Sequence, residues 1–168
     1  MRRIIIFGNS SSGKSTLAKR LAMKYSLDHL DLDTIAWKKS KTPERMSIGM
    51  SEIILKKFIS TSNSWVIEGC YSDLIDLVLD ESTEIIYMKL PIQLCILNAQ
   101  KRPWEPHKYP SKKDQDKNLD MLINWISEYS TRTDTFSEFA HDQIFMNYQC
   151  KKNIIKSNEH LEEYDNLL

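Results

Sequence analysis

The sequence predicts an α/β fold, a five-stranded parallel sheet flanked by helices, over one domain spanning residues 1–168. Three observations predict it. The chain opens on Ile4-Ile5-Ile6-Phe7, a continuous β-branched and aromatic run of the kind a strand carries when both its faces are covered. Short apolar runs then alternate with stretches of helical periodicity along the chain. At this length roughly 70% of the extended surface is buried on folding, enough for a core without disulfide or metal staples.

The elements follow in order. After the first strand and a loop from Gly8 to Gly13, Leu17, Leu21, Ala22 and Tyr25 recur at helical spacing to about Ser26. His29 to Leu32 reads as a second strand. A loop containing Pro43 leads to a helix over Met46–Ser60, with Ile53, Ile54 and Phe58 in period. Trp65-Val66-Ile67 is the third strand and Leu74–Leu79 a short helix. Ile85–Leu90 is the fourth strand, stopped by Pro91, which suits the start of a helix running to about Arg102. Pro103–Lys113 holds three prolines and no glycine, and reads as a loop or flap. Asp114–Tyr129 and Thr135–Tyr148 are expected to be helical, Asn153–Lys156 to be the fifth strand after Lys151 and Lys152, and a last helix to start at Asn158.

Composition narrows the function. Hydrophobic residues at 41% and charged residues at 27% exclude a disordered or fibrous chain. Lys+Arg 23 balances Asp+Glu 23, whereas a protein acting on polyanions needs a basic excess, so a nucleic-acid partner is not expected. Cys70, Cys95 and Cys150 form no CxxC pair and no metal spacing with the four histidines. That fits a reducing compartment, and a cytoplasmic protein is expected. The opening MRRIIIF is too short for a signal sequence, and no apolar run approaches the length of a membrane span.

Gly8-Asn9-Ser10-Ser11-Ser12-Gly13-Lys14-Ser15 matches GxxxxGK[ST], between a buried strand and an amphipathic helix. Small residues let backbone N–H groups converge on a polyphosphate, and the helix N-terminus at Ser15 and Thr16 adds partial positive charge. Lys14 can reach the β- and γ-phosphates and the Ser15 hydroxyl can ligate Mg²⁺. The expected fold is therefore a P-loop NTPase, with ATP and Mg²⁺ as cofactors.

With this loop near its start, the chain resembles the small P-loop kinases of adenylate-kinase-like fold, the shikimate kinases among them. HLDLDTIAW, WVIEGCY and RPWEPHKY are similar to a group of bacterial adenylate-kinase-like or shikimate-kinase-like proteins. A strand period of two places Asp31 and Asp33 on one face, at the strand end where ligands bind in open α/β sheets. The Asp-x-Asp of shikimate kinases implies that Asp31 serves Mg²⁺ and Asp33 the acceptor hydroxyl, as binder or base. The alternative is that Asp33 caps a turn at Thr34 and Asp31 is solvated. Glu68-Gly69 resembles the Asp-Gly of nucleoside monophosphate kinases, implying a Mg²⁺-side Glu68 and a close substrate approach at Gly69. The alternative there is an ordinary strand-end turn. The following Cys70-Tyr71 departs both from the proline-arginine of those enzymes and from the glycine triplet of shikimate kinases.

Phosphoryl transfer needs cations beyond Lys14. By the same resemblance, about 102–113 is a lid and about 34–62 the acceptor-binding segment. Arg102 is the leading clamp, with His107 and Lys108 weaker candidates, against a stiff surface loop. Arg132 is a second candidate that would swing to the γ-phosphate, against an exposed helix-end arginine. Arg45 is a candidate for an anionic acceptor group, and Tyr71 and Trp37 for stacking on an acceptor ring, against surface charge and packing. His141 and His160 are expected at the surface and Trp125 and Phe136 in the core. The function implied is transfer of the γ-phosphoryl group of Mg-ATP to a small acceptor, a nucleoside monophosphate or a hydroxylated metabolite. The alternative is a nucleotide-switched binding module with slow ATPase activity. A zinc-stapled lid is excluded by the absence of cysteine from 103–113.

Overall fold

The structure, a computed structural model, describes residues 1–38, 43–106, 109–159 and 161. Five parallel strands form one sheet in the order β2-β3-β1-β4-β5. They are β1 (Arg3–Gly8), β2 (Asp28–Asp31), β3 (Trp65–Gly69), β4 (Glu84–Met88) and β5 (Lys151–Ile155). The apolar run opening the chain is central because both its neighbours bury it. Ile5 pairs in register with Ile67 of β3 on one side and Ile85 of β4 on the other.

The pleat sends alternate residues of β1 into two cores. Ile4 and Ile6 pack with Leu17 and Leu21 of α1 (Lys14–Tyr25), Cys95 and Ala99 of α5 (Ile92–Lys101) and Ile126 of α7 (Leu119–Ser127). Ile5 and Phe7 pack on the other face with Ile35 of α2 (Asp33–Ala36), Leu55 of α3 (Ile48–Thr61), Leu74 of α4 (Ser72–Asp76) and Ile144 of α8 (Glu138–Asn147). Ile4 through Phe7 are fully buried, each contributing about 1.5–3 kcal/mol by leaving water. Pro91 immediately precedes α5, and Ser47 and Ser137 cap α3 and α8 through their side chains.

Several expectations are corrected. The chain does not run straight from the second strand into a loop, because Asp33–Ala36 forms the one-turn helix α2. The single helix expected over 114–129 is two, α6 (Lys112–Lys117) and α7, meeting at Asn118. Lys151 and Lys152 lie inside β5, a sheet-edge strand of the kind that lysines keep from pairing further. His107, Lys108, His160 and most of the expected last helix lie outside the described residues. Among the described residues, no helix is long and apolar enough to cross a membrane.

Candidate active site

The phosphate loop joins β1 to α1, and its shape is set by glycine and by three asparagines. Gly8 has φ +145° and sits opposite Met88, where a Cβ would come within 2.4 Å of the Met88 carbonyl oxygen. Only glycine fits there. Asn9 donates through Nδ2 to the Ile126 carbonyl at 3.1 Å and accepts from the Ser10 N–H at 2.8 Å. Asn98 of α5 donates to the Ser11 carbonyl at 3.0 Å and to Asn158 Oδ1 at 2.7 Å, and Asn158 donates to the Ser12 carbonyl at 3.0 Å. Lys14 Nζ donates to the Asn9 carbonyl at 2.7 Å. The carbonyls at 9, 11 and 12 are thus turned to protein donors, consistent with a loop whose N–H groups form an anion-binding concavity. Asn98 and Asn158 were not legible as site residues, since nothing in their local sequence marks them.

A cleft of about 870 Å³ opens beside this loop, with Lys14, Ser15, Asp33, Glu68, Gly69 and Arg102 among its lining residues. Asp31, Arg45, Tyr71 and Arg132 do not line it. The strand period invoked for Asp31 and Asp33 does not hold, because β2 ends at Asp31 and Asp33 opens α2. Asp31 Oδ1 accepts the Asp33 N–H at 2.9 Å, so Asp31 serves as the cap of this turn and Asp33 projects from it. The role considered for Asp33 as a cap belongs instead to Asp31.

Glu68, the last residue but one of β3, is 2% exposed, and among the described residues its Oε1 has no hydrogen-bond partner, with His29 Nε2 at 3.8 Å. A buried, unsatisfied carboxylate oxygen beside a cleft is a group waiting for a ligand or water. Together with the Ser15 hydroxyl it is a hard-oxygen set that fits Mg²⁺. Among the described residues no three His, Cys, Asp or Glu side chains gather to hold a metal alone, so a Mg²⁺ here needs phosphate oxygens as well. Gly69 has a packing reason of its own, since a Cβ would lie 2.8 Å from Leu32 Cβ.

Behind the β3 end lies a buried network that sequence reasoning missed. His141, expected at the surface, is fully buried. Its Nε2 meets the Cys70 carbonyl at 3.1 Å and its Nδ1 the Tyr129 hydroxyl at 2.7 Å. The carbonyl can only accept, so Nε2 carries the proton, Nδ1 accepts from Tyr129, and Tyr129 accepts from Tyr87 at 3.0 Å. Burial pushes the imidazole down to about 4 and holds it neutral. Burial also pushes the Cys70 thiol up to about 12, so the cleft wall there is uncharged.

Arg102, at the end of α5, pairs with Glu105, and Pro103, Trp104, Pro106 and Tyr109 continue the cleft wall. Arg132 is placed elsewhere: its guanidinium lies 3.5 Å from the Trp125 ring centroid and pairs with Glu128 at 3.3 Å. Arg45 pairs with Asp73 at 2.9 Å and covers the Tyr71 ring at 4.8 Å. Trp125 and Phe136, expected in the core, are half-buried partners of these stacks.

No family model matches the chain, and no curated protein sequence matches it. Among solved structures it is similar to a shikimate kinase from Bacteroides thetaiotaomicron, with a TM-score of 0.57 and 15% identity over 99% of this chain and 97% of the other. It is also similar to an uncharacterized protein from Eubacterium ventriosum, with a TM-score of 0.53 and 15% identity over 99% and 98%. The chain has the shikimate kinase-like P-loop fold.

Proposed function

We propose that the protein is a phosphotransferase moving the γ-phosphoryl group of Mg-ATP to a small acceptor, either a nucleoside monophosphate or a hydroxylated metabolite. The observation that carries this reading is one cleft lined at once by Lys14 and Ser15 of the phosphate loop and by the Asp33 and Glu68 carboxyl groups. The fold shared with a shikimate kinase supports it. Lys14 would leave the Asn9 carbonyl for the transferring phosphoryl oxygens, offsetting the charge that develops there. Asp33 would hold the acceptor hydroxyl and take its proton. Ser15 and Glu68 would hold the Mg²⁺ with the nucleotide, the metal supplying charge neutralisation of the phosphates. Arg102 would exchange Glu105 for phosphate as the 102–113 segment closes over the cleft and excludes water. Arg45 would meet an acceptor only by leaving Asp73, and Arg132 would meet phosphate only by leaving Trp125.

The test is ADP release with Mg-ATP, scanned over nucleoside monophosphates, shikimate, gluconate and other small alcohols against an ATP-only control. One acceptor should stimulate release strongly. Lys14→Ala should lower turnover by about 10²–10³-fold, and Asp33→Asn should remove the stimulation while leaving ATP binding within a few-fold. Tight ATP binding with slow, unstimulated turnover throughout would favour the nucleotide-switched module instead.

A further inference from the structure

Asp33 is held by a two-step chain of donors. The Trp37 indole Nε1–H donates to the Tyr71 hydroxyl at 2.7 Å, and that hydroxyl donates to Asp33 Oδ1 at 2.6 Å. An indole N–H only donates and an ionised carboxylate only accepts, so both directions are determined. Tyr71 is 2% exposed and, although the sequence suggested contact with the acceptor, it lies behind the cleft wall. Its ring is held edge-on by Phe136 at 5.2 Å and covered by Arg45 at 4.8 Å, with Arg45 in turn tied to Asp73. Swinging the ring toward a ligand would break every one of these contacts.

We propose that Tyr71, itself oriented by Trp37, is a positioning residue that fixes the Asp33 carboxylate toward the cleft. Its use in receiving a substrate proton rests on the phosphotransferase reading. The positioning itself does not. Burial and the neighbouring Asp33 push the phenol well above its ordinary value, so Tyr71 remains the donor.

The test is the three-bond N–Cγ and C′–Cγ NMR couplings of Asp33, measured at one fixed pH on the whole chain without nucleotide, which report whether its side chain is held in one rotamer. The natural protein should show one rotamer. Tyr71→Phe keeps the ring and removes the hydroxyl, and should give couplings averaged over rotamers, with Trp37→Phe averaged less. Unaveraged couplings in a folded Tyr71→Phe protein overturn the proposal. Should Tyr71→Phe fail to fold, Trp37→Phe decides in the same way, averaged couplings supporting it and unaveraged ones overturning it. A merely structural role would alter stability without changing these couplings. The phosphotransferase reading stands or falls separately, on the acceptor scan.

Discussion

At the phosphate end of the cleft, Gly8 to Ser15 are consecutive and act through backbone whose conformation two glycines permit. At the acid end, Asp33, Trp37, Tyr71 and Cys70 are brought together from two separate segments, and His141 and Tyr129 brace them from two more. A backbone site is encoded in a few adjacent letters. A side-chain site is encoded in packing partners far apart in sequence, so its sequence signature is diffuse even where its geometry is well defined. The difference also predicts how each end fails: the first through steric conflict at one atom, the second through loss of hydrogen bonds that leave buried groups unpaired.

The largest expected effect is at the phosphate end. Gly8→Ala places a Cβ 2.4 Å from the Met88 carbonyl oxygen at a φ that L-residues rarely adopt, and should cost about 4 kcal/mol or more. Urea unfolding checks this, and a loss under about 1 kcal/mol would mean the loop is far softer than its geometry implies. Next comes the brace of the acid end. His141→Leu leaves the Cys70 carbonyl and Tyr129 hydroxyl unpaired, and should cost about 3 kcal/mol at neutral pH.

The same histidine gives a pH signature. Its folded-state value of about 4 lies below the ordinary 6.5, so the unfolded chain binds more protons between them. The stability of the neutral imidazole is full above pH 6.5 and should be lost, by on the order of 3 kcal/mol, as pH falls through that window toward 4. Unfolding free energies across this range should show the slope in the natural protein and lack it in His141→Leu. The smallest effect separates shape from chemistry. Asn158→Ala removes one donor from the Ser12 carbonyl and one acceptor from Asn98, and should cost about 1–2 kcal/mol. ATP affinity should weaken with it, and calorimetry showing unchanged affinity would mean the loop keeps its shape without that clamp.

The fold was legible because buried strands show themselves as apolar runs, and all five expected strands are present. The shape of the phosphate loop was readable for the same local reason. What stayed hidden was set by partners. The α2 turn was invisible because Asp31 and Asp33 satisfy a strand period equally well, and only the Asp31 cap decides between the two. His141 was misread because α8 exposes Phe139 and Met146 while burying a histidine, inverting the pattern from which burial is inferred. That inversion is stable because Tyr129 and the Cys70 carbonyl satisfy both ring nitrogens, and neither partner is visible in helical periodicity. Tyr71 looked available to a ligand because its sequence position said nothing of the Arg45, Phe136 and Trp37 that enclose it.

The Asn158 clamp closes on a loop that lies 146 positions earlier in the chain. Synthesis therefore delivers the Gly8–Gly13 segment long before one of its fastenings. Until β4 and Asn158 have emerged from the ribosome, β1 lacks its second neighbour and the Gly8–Gly13 segment has neither Met88 to press against nor Asn158 to tie it. An emerging chain of this design would set the final shape of that loop only once Asn158 is in place.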